Sequence, residues 1–233
     1  MRVAGIDGGG GAWTVAMWDG SDVRLQRVSH IRELLDVRPV LVGIDLPIGL
    51  PSRREPGGRR ADREARRRLG RRGVCVFSPP VRESLCAATY REALGINREA
   101  GGGISVQCFR LFPALRELDE WMREDPSRQE WVKEVHPELS FTAMNGGRPV
   151  EKSKHTREGM RCRISLLDEA LFLPRCGRRM EEVVGPLPVI WREHVVDACA
   201  VLWSALRILE GTAERVPAEE ERDPCGLPVE IWY

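Results

Sequence analysis

Two apolar runs that each end in a carboxylate dominate the pattern of hydrophobic and polar positions. The run at residues 3–6 leads into Asp7 and four glycines, and the run at 40–44 leads into Asp45 and Leu46-Pro47. Apolar runs without alternation are typical of strands that are buried on both faces, as in a parallel sheet. Because open α/β sheets carry their sites at the carboxyl ends of such strands, we expect Asp7 and Asp45 to lie at the same sheet edge.

The first 29 residues predict three strands in a meander. Ala12–Trp18 and Val23–Val28 flank Asp19-Gly20-Ser21-Asp22, which is a turn signal of the hairpin kind. Strand patterns that alternate with helical patterns indicate the α/β class. Further along the chain, a third strand is predicted over 131–138, and helices are predicted over 31–37, 60–69, 82–94, 105–122 and 156–171.

The last strong element is a helix predicted over 194–210, which is apolar on nearly every side. A helix of this kind is buried. Asp197 lies inside it, and a buried carboxylate costs several kcal/mol unless it is paired or bound to a metal. His194 lies three residues earlier on the same face, so the two side chains could share one ligand. An ion pair with a buried arginine, or a hydrogen bond from a backbone amide, is the alternative for Asp197.

The three aspartates are predicted to converge without matching lysines. Such a cluster is stable chiefly when a divalent cation fills it, and oxygen ligands favour Mg²⁺ or Mn²⁺ over zinc. Paired ions about 4 Å apart activate water and stabilise the leaving oxygen in phosphodiester hydrolysis. We expect Asp7 to bridge two ions, with Asp45 and Asp197 each completing one. Candidates for a further ligand or for positioning the water are Glu134, Glu138 and His194.

The distribution of charge adds a candidate phosphate-binding segment. The chain has a net charge of +1, yet residues 53–72 hold ten arginines against three acids. Planar guanidinium groups fork onto phosphates, so the segment could hold a polyanion such as DNA or RNA. Arg53, Arg63 and Lys154 are predicted to contact the scissile and flanking phosphates. Compositional bias is the simpler explanation, since only three of the 36 basic residues are lysines.

Length and composition exclude several classes of protein. The 233 residues suit one α/β domain, which we expect over 1–233 with a helical insertion at about 51–128. No apolar run approaches the roughly 18–20 residues of a membrane span, and the N-terminus has a strand pattern rather than that of a signal peptide. The seven cysteines are scattered without a C-x-x-C pair, which indicates reduced thiols. A cytoplasmic location is therefore expected.

An ordered set of short motifs runs along essentially the whole chain. It includes Gly5-Ile6-Asp7-Gly8, Gly43-Ile44-Asp45-Leu46-Pro47, Glu134-Val135-His136-Pro137-Glu138, Ser153-Lys154 and Asp197-Ala198. This set resembles domain-of-unknown-function family 429, described as predicted ribonuclease H-like nucleases. The resemblance implies a ribonuclease H-like α/β fold: a mixed five-stranded sheet with a three-strand meander and helices on both faces. The step from His194 to Asp197-Ala198 also looks like the last helix of resolvases of the RuvC type.

Two other functions fit parts of the sequence. Asp7 and the glycines at 8–11 also resemble the phosphate loop of actin-like and sugar-kinase ATPases, although those proteins need two such domains. A non-catalytic nucleic-acid-binding or scaffold protein of the same fold would use the arginines of 53–72 and keep the acids as an inert metal site. A binding protein has no need of three acids in one cleft, so a metal-dependent nuclease is the expected function.

Overall fold

The fold is built on a mixed five-stranded sheet, seen in a computed structural model that describes residues 1–9, 11–37 and 39–233. The strands are β1 (Val3–Gly9), β2 (Ala12–Trp18), β3 (Val23–Val28), β4 (Leu41–Asp45) and β5 (Val132–Glu134). β1, β2 and β3 form the predicted antiparallel meander, and β4 and β5 extend the sheet parallel to β1. The spatial order is β3-β2-β1-β4-β5. The predicted five-stranded α/β sheet is confirmed.

Helices cover both faces of this sheet. One core joins the sheet to helices from the region between β4 and β5, and the other joins it to helices that follow β5. The helices are α1 (Leu34–Val37), α2 (Arg60–Leu69), α3 (Tyr90–Glu99), α4 (Val106–Arg110), α5 (Phe112–Glu124), α6 (Arg128–Trp131), α7 (Pro137–Met144), α8 (Arg157–Leu167), α9 (Leu173–Cys176), α10 (Met180–Val184) and α11 (Val189–Leu209). Short 3-10 turns lie at Ile31–Glu33, Gly70–Cys75 and Arg82–Cys86, and a π-helical turn lies at Asp168–Phe172.

Several boundaries differ from the sequence predictions for local reasons. The helix predicted over 82–94 divides into a 3-10 turn and α3, because the Thr89 side chain caps a new helix start. The strand predicted over 131–138 shortens to β5, since Pro137 begins α7 at a position where its missing amide hydrogen is not needed. α11 starts at Val189 instead of residue 194, directly after Pro188.

A small second sheet closes the C-terminal part of the fold. β6 (Arg215–Val216) pairs with β7 (Ile231–Trp232), and Trp232 also forms a bridge with Val135 just beyond β5. A third hydrophobic cluster joins these strands to α2 and α7. β7 therefore ties the C-terminal segment to the main sheet.

α11 is the longest helix described, with 21 residues. Its residues 195–202 are all buried against the sheet and neighbouring helices. Among the helices of the described residues, none has the length and apolar character needed to cross a membrane.

α11 packs directly on the main sheet because β1 and β4 carry glycines at the contact. A Cβ atom at Gly5 would lie 2.0 Å from the backbone nitrogen of Leu202 and 2.3 Å from the carbonyl oxygen of Ala198. A Cβ atom at Gly43 would lie 2.8 Å from Cγ1 of Val201. Gly5 and Gly43 are direct neighbours across the parallel strands. The pair therefore forms a side-chain-free surface on which the helix backbone rests.

Replacing Gly5 by alanine should lower the free energy of unfolding by about 1–3 kcal/mol or more, because the new methyl group would meet helix backbone. Gly95→Ala is the matched control: a Cβ atom there meets nothing within 4 Å, and the site lies inside α3. Alanine is favoured over glycine in a helix by roughly 0.5–1 kcal/mol, so this control should be neutral or stabilising. Urea unfolding measures both changes, and equal stability of Gly5→Ala and wild type would contradict the contact.

Candidate metal centre

Three aspartates from three elements bring their carboxylates together at one edge of the sheet. The parallel register places Asp7 of β1 directly beside Asp45 of β4. One oxygen of each, together with one of Asp197, forms a group whose atoms all lie within 4.8 Å of one another. Asp7 and Asp197 are buried and Asp45 is half-buried. The predicted convergence of these three carboxylates is confirmed.

The glycine contact explains why the third carboxylate reaches this edge. Side chains alternate along a strand, so Gly5 and Asp7 lie on the same face of β1. Gly43 and Asp45 have the same relation in β4. Asp197 immediately precedes Ala198, whose carbonyl oxygen lies over Gly5. The packing of α11 on the two glycines thus places Asp197 beside Asp7 and Asp45.

Two further side chains contact the cluster. Lys154 Nζ donates a hydrogen bond to Asp197 Oδ2 at 2.5 Å. His194 Nδ1 and Asp7 Oδ2 form a hydrogen bond at 2.5 Å. Both side chains remain partly exposed, at 33% for Lys154 and 39% for His194. The cluster is therefore partly neutralised while it stays open to solvent.

The crowding of the carboxylates makes their ionisation unfavourable. Burial raises the pKa of Asp45 well above its usual value, and repulsion from Asp7 and Asp197 raises this pKa further. Burial also raises the pKa of Asp197 to about 6, although Lys154 opposes the shift. The hydrogen bond to Asp7 raises the pKa of His194. A divalent cation at the three carboxylates would replace this repulsion by attraction, so the residues fit such an ion.

Glu134, a predicted ligand or water-positioning residue, lies in a buried ion-pair network. Its two oxygens accept hydrogen bonds from Arg59 at 2.6 and 2.9 Å, and one of them also accepts from the amide of Ile48 at 2.6 Å. Arg59 is itself buried and pairs with Asp62 at 2.7 Å. Glu134 therefore anchors the loop that follows Asp45. Its catalytic role stays a prediction.

Glu138 has a comparable structural position on the other side of the site. Both of its oxygens accept hydrogen bonds from the fully buried Arg163, at 2.7 and 2.8 Å, and Arg72 lies 3.3 Å away. Arg163 also donates to the carbonyl oxygen of Lys152 at 2.9 Å. Glu138 and Arg163 together hold the loop that carries Lys154. A role for Glu138 in positioning water stays a prediction.

The predicted phosphate-binding residues lie at different distances from the cluster. Lys154 lines the cleft into which the aspartates open. Arg63 of α2 donates to Glu55 at 2.7 Å and to the carbonyl oxygen of Gly58 at 2.6 Å, so it is held against the loop that precedes this helix. Arg53 is exposed and lines a separate pocket of about 190 Å³. The phosphate-binding roles of these three residues stay predictions.

The cleft over the carboxylates has a volume of about 380 Å³. Its walls include residues that sequence reasoning did not select. Arg59 was indistinguishable from its arginine neighbours, and His136 lay unassigned inside a matching motif. Burial lowers the pKa of His136, which favours its neutral form. Other lining residues are Cys75, Phe77, Leu111, His155 and Ile231.

The family described as Protein of unknown function (DUF429) matches the chain over residues 5–222. The chain belongs to this family. The match covers all three aspartates and the loops that support them. No curated protein and no solved structure matches the chain. The description of this family names no reaction, so a function can be inferred only from the geometry of the site.

Asp45→Asn should stabilise the metal-free protein at pH 7.5, because it removes one of three crowded charges. The raised pKa of Asp45 means that the folded protein keeps this proton longer than the unfolded chain as pH rises. Ionisation of Asp45 therefore lowers the stability of the folded wild-type protein. This loss of stability is absent below the ordinary pKa of 3.8 and grows as the pH increases above that value. The advantage of the variant should shrink toward pH 4, which thermal unfolding in EDTA at several pH values would measure.

Asp36→Asn, at an exposed position in α1, is the control for that experiment and should change nothing. Adding Mn²⁺ should then raise the melting temperature of wild type and of Asp36→Asn, since a ligand that binds only the folded state stabilises it. Asp45→Asn should respond much less. An equal response of all three proteins would place the metal elsewhere.

Proposed function

We propose that this protein is a metal-dependent nuclease that hydrolyses phosphodiester bonds. One observation carries the proposal: Asp7, Asp45 and Asp197 present oxygen atoms within 4.8 Å of one another in a cleft that also contains Lys154. A site of oxygen ligands favours Mg²⁺ or Mn²⁺, and these ions commonly bind phosphate groups. The adjacent lysine gives the cleft a cation that can bind a phosphate oxygen.

The topology supports the same reaction class. The sheet order β3-β2-β1-β4-β5, with its meander and two parallel strands, agrees with the ribonuclease H-like fold that the sequence motifs imply. The carboxylates stand on the first strand, on its parallel neighbour and on the last long helix. Fold alone does not fix a function, so the agreement adds to the site without replacing it.

Each residue of the site has a role that its contacts suggest. Asp7, Asp45 and Asp197 would hold the metal, which when bound would polarise the phosphate and lower the pKa of a water molecule. His194 orients Asp7 through its hydrogen bond. Lys154 balances Asp197 and can donate to a phosphate oxygen.

The ATPase alternative depends on the glycines at 8–11, of which Gly10 lies outside the described residues. The part of the chain that the structure describes contains one five-stranded and one two-stranded sheet, whereas actin-like ATPases use two similar domains. The nuclease is therefore the better supported proposal.

Asp7→Asn should abolish cleavage while the protein remains folded. The test is the Mg²⁺- or Mn²⁺-dependent cleavage of labelled single strands, duplexes and branched junctions of DNA and RNA. The expected loss is more than about 100-fold, since even outer partners of metal ligands are worth about 10–100-fold. Asp36→Asn should cleave like wild type, and EDTA should stop both proteins. Full activity of folded Asp7→Asn would refute the proposal, and binding without any cleavage by wild type would favour the non-catalytic alternative.

For a nucleic-acid partner, we expect the binding affinity of the protein to depend on salt concentration through the arginines of residues 53–72. The double variant Arg53→Ala, Arg63→Ala should weaken binding and reduce the slope of log K against log salt by about 1–2, at roughly 0.9 per lost contact with duplex phosphate. Arg91→Ala is the control, because Arg91 is exposed on α3 and lies outside the arginine segment 53–72. Fluorescence anisotropy at several salt concentrations measures the slope. An unchanged slope in the double variant would remove these two arginines from the interface.

A further inference from the structure

We propose that the site holds one divalent cation and that the Lys154 ammonium group takes the place of a second one. The inference rests on the proposed metal-dependent function and concerns how that site is built. It replaces the sequence expectation of two ions bridged by Asp7.

The first observation concerns the oxygen atoms that a second ion would need. Asp197 would be its terminal ligand, and Oδ2 of Asp197 already accepts a hydrogen bond from Lys154 at 2.5 Å. Glu134 and Glu138, the acids that could complete its coordination, have both oxygens bound by buried arginines. Moving Glu138 to a metal would leave the buried guanidinium group of Arg163 without its carboxylate partner, and moving Glu134 would leave buried Arg59 with Asp62 as its one remaining carboxylate. Both changes are unfavourable.

The second observation is the charge at the site. When the three aspartates are ionised to bind a metal and His194 is neutral, the carboxylates and Lys154 together carry a net charge of −2, which a single divalent cation balances. Charges in a partly buried site are favourable only when they are matched, so the lysine reduces the demand for a second ion.

The third observation is that the position of Lys154 is built into the fold. A Cβ atom at Gly159 of α8 would lie 2.0 Å from the carbonyl oxygen of Ser153, so the lysine loop rests directly on the helix backbone. From the next turn of the same helix, the fully buried Arg163 donates to the carbonyl oxygen of Lys152 at 2.9 Å. Such contacts distinguish Lys154 from a surface lysine that folds over a nearby acid.

An ammonium group in this position can replace a metal ion in two respects, which are binding a phosphate oxygen and stabilising negative charge. It has three hydrogen-bond donors, so one can remain on Asp197 while others reach a phosphate oxygen. A fixed positive charge close to the developing negative charge stabilises the transition state. Lys154 would thus bind substrate and stabilise charge, whereas the aspartates would hold the cation.

The decisive experiment counts bound ions. Mn²⁺ is titrated at neutral pH into wild type, Lys154→Met and Lys152→Met, with calorimetry for stoichiometry and electron paramagnetic resonance for coupling between manganese ions. The titration is repeated with a phosphorothioate DNA duplex, because substrate phosphates can complete a second metal position. Lys152→Met is the matched control, since Lys152 lies two residues away, is 58% exposed and pairs with Glu158.

Wild type and Lys152→Met should bind one Mn²⁺ per chain, with an uncoupled spectrum, with or without DNA. Lys154→Met should bind two ions and show the signal of a coupled pair. Two coupled ions in wild type would overturn this inference while supporting the proposed nuclease, and this result does not depend on the variants folding. No Mn²⁺ on wild type would overturn both proposals. A folded Lys154→Met protein that binds one ion as wild type does would also overturn the role of Lys154.

Discussion

The contact between α11 and the glycine pair of β1 and β4 is the constraint on which the rest of the structure depends. Ala198 and Leu202 of the helix meet Gly5 through backbone atoms, which no larger residue would allow. The same seating buries residues 195–202 and sets the height of Asp197 above the sheet. Packing and site geometry are therefore determined by one interaction. Asp7 and Asp45 lie two residues after the contact glycines of the strands, and Asp197 lies next to the contact residue Ala198 of the helix.

The site is electrostatically costly without a ligand, and its surroundings limit that cost. The raised pKa values of Asp45 and Asp197 show that burial and mutual repulsion oppose ionisation. Lys154 and His194 offset part of the repulsion, each through one carboxylate. Strongly shifted pKa values cluster at functional sites in proteins. This edge of the sheet is therefore the candidate functional site.

The arginine-rich segment, residues 53–72, makes internal contacts in the structure, whereas its composition suggested that it binds phosphates. Arg59 is buried between Asp62 and Glu134, and Arg66 donates to the carbonyl oxygen of Val76. These guanidinium groups satisfy acids and carbonyl groups in loops that have no regular hydrogen-bond ladder. Much of the positive charge therefore stabilises the walls of the cleft, and only part of it remains available to a polyanion.

The sequence by itself determined the meander, the position of Asp7 and Asp45 at one sheet edge, and the buried helix with Asp197, because apolar runs and the acids that end them are local patterns. Tertiary structure decided which charged groups meet. The sequence offers Glu134 and Glu138 as candidates for a further ligand or for positioning water, yet both are bound by arginines that are distant in the sequence, at positions 59 and 163. Lys154 lies 43 residues from its partner Asp197. Pairings of this kind arise from chain packing, which no local pattern encodes.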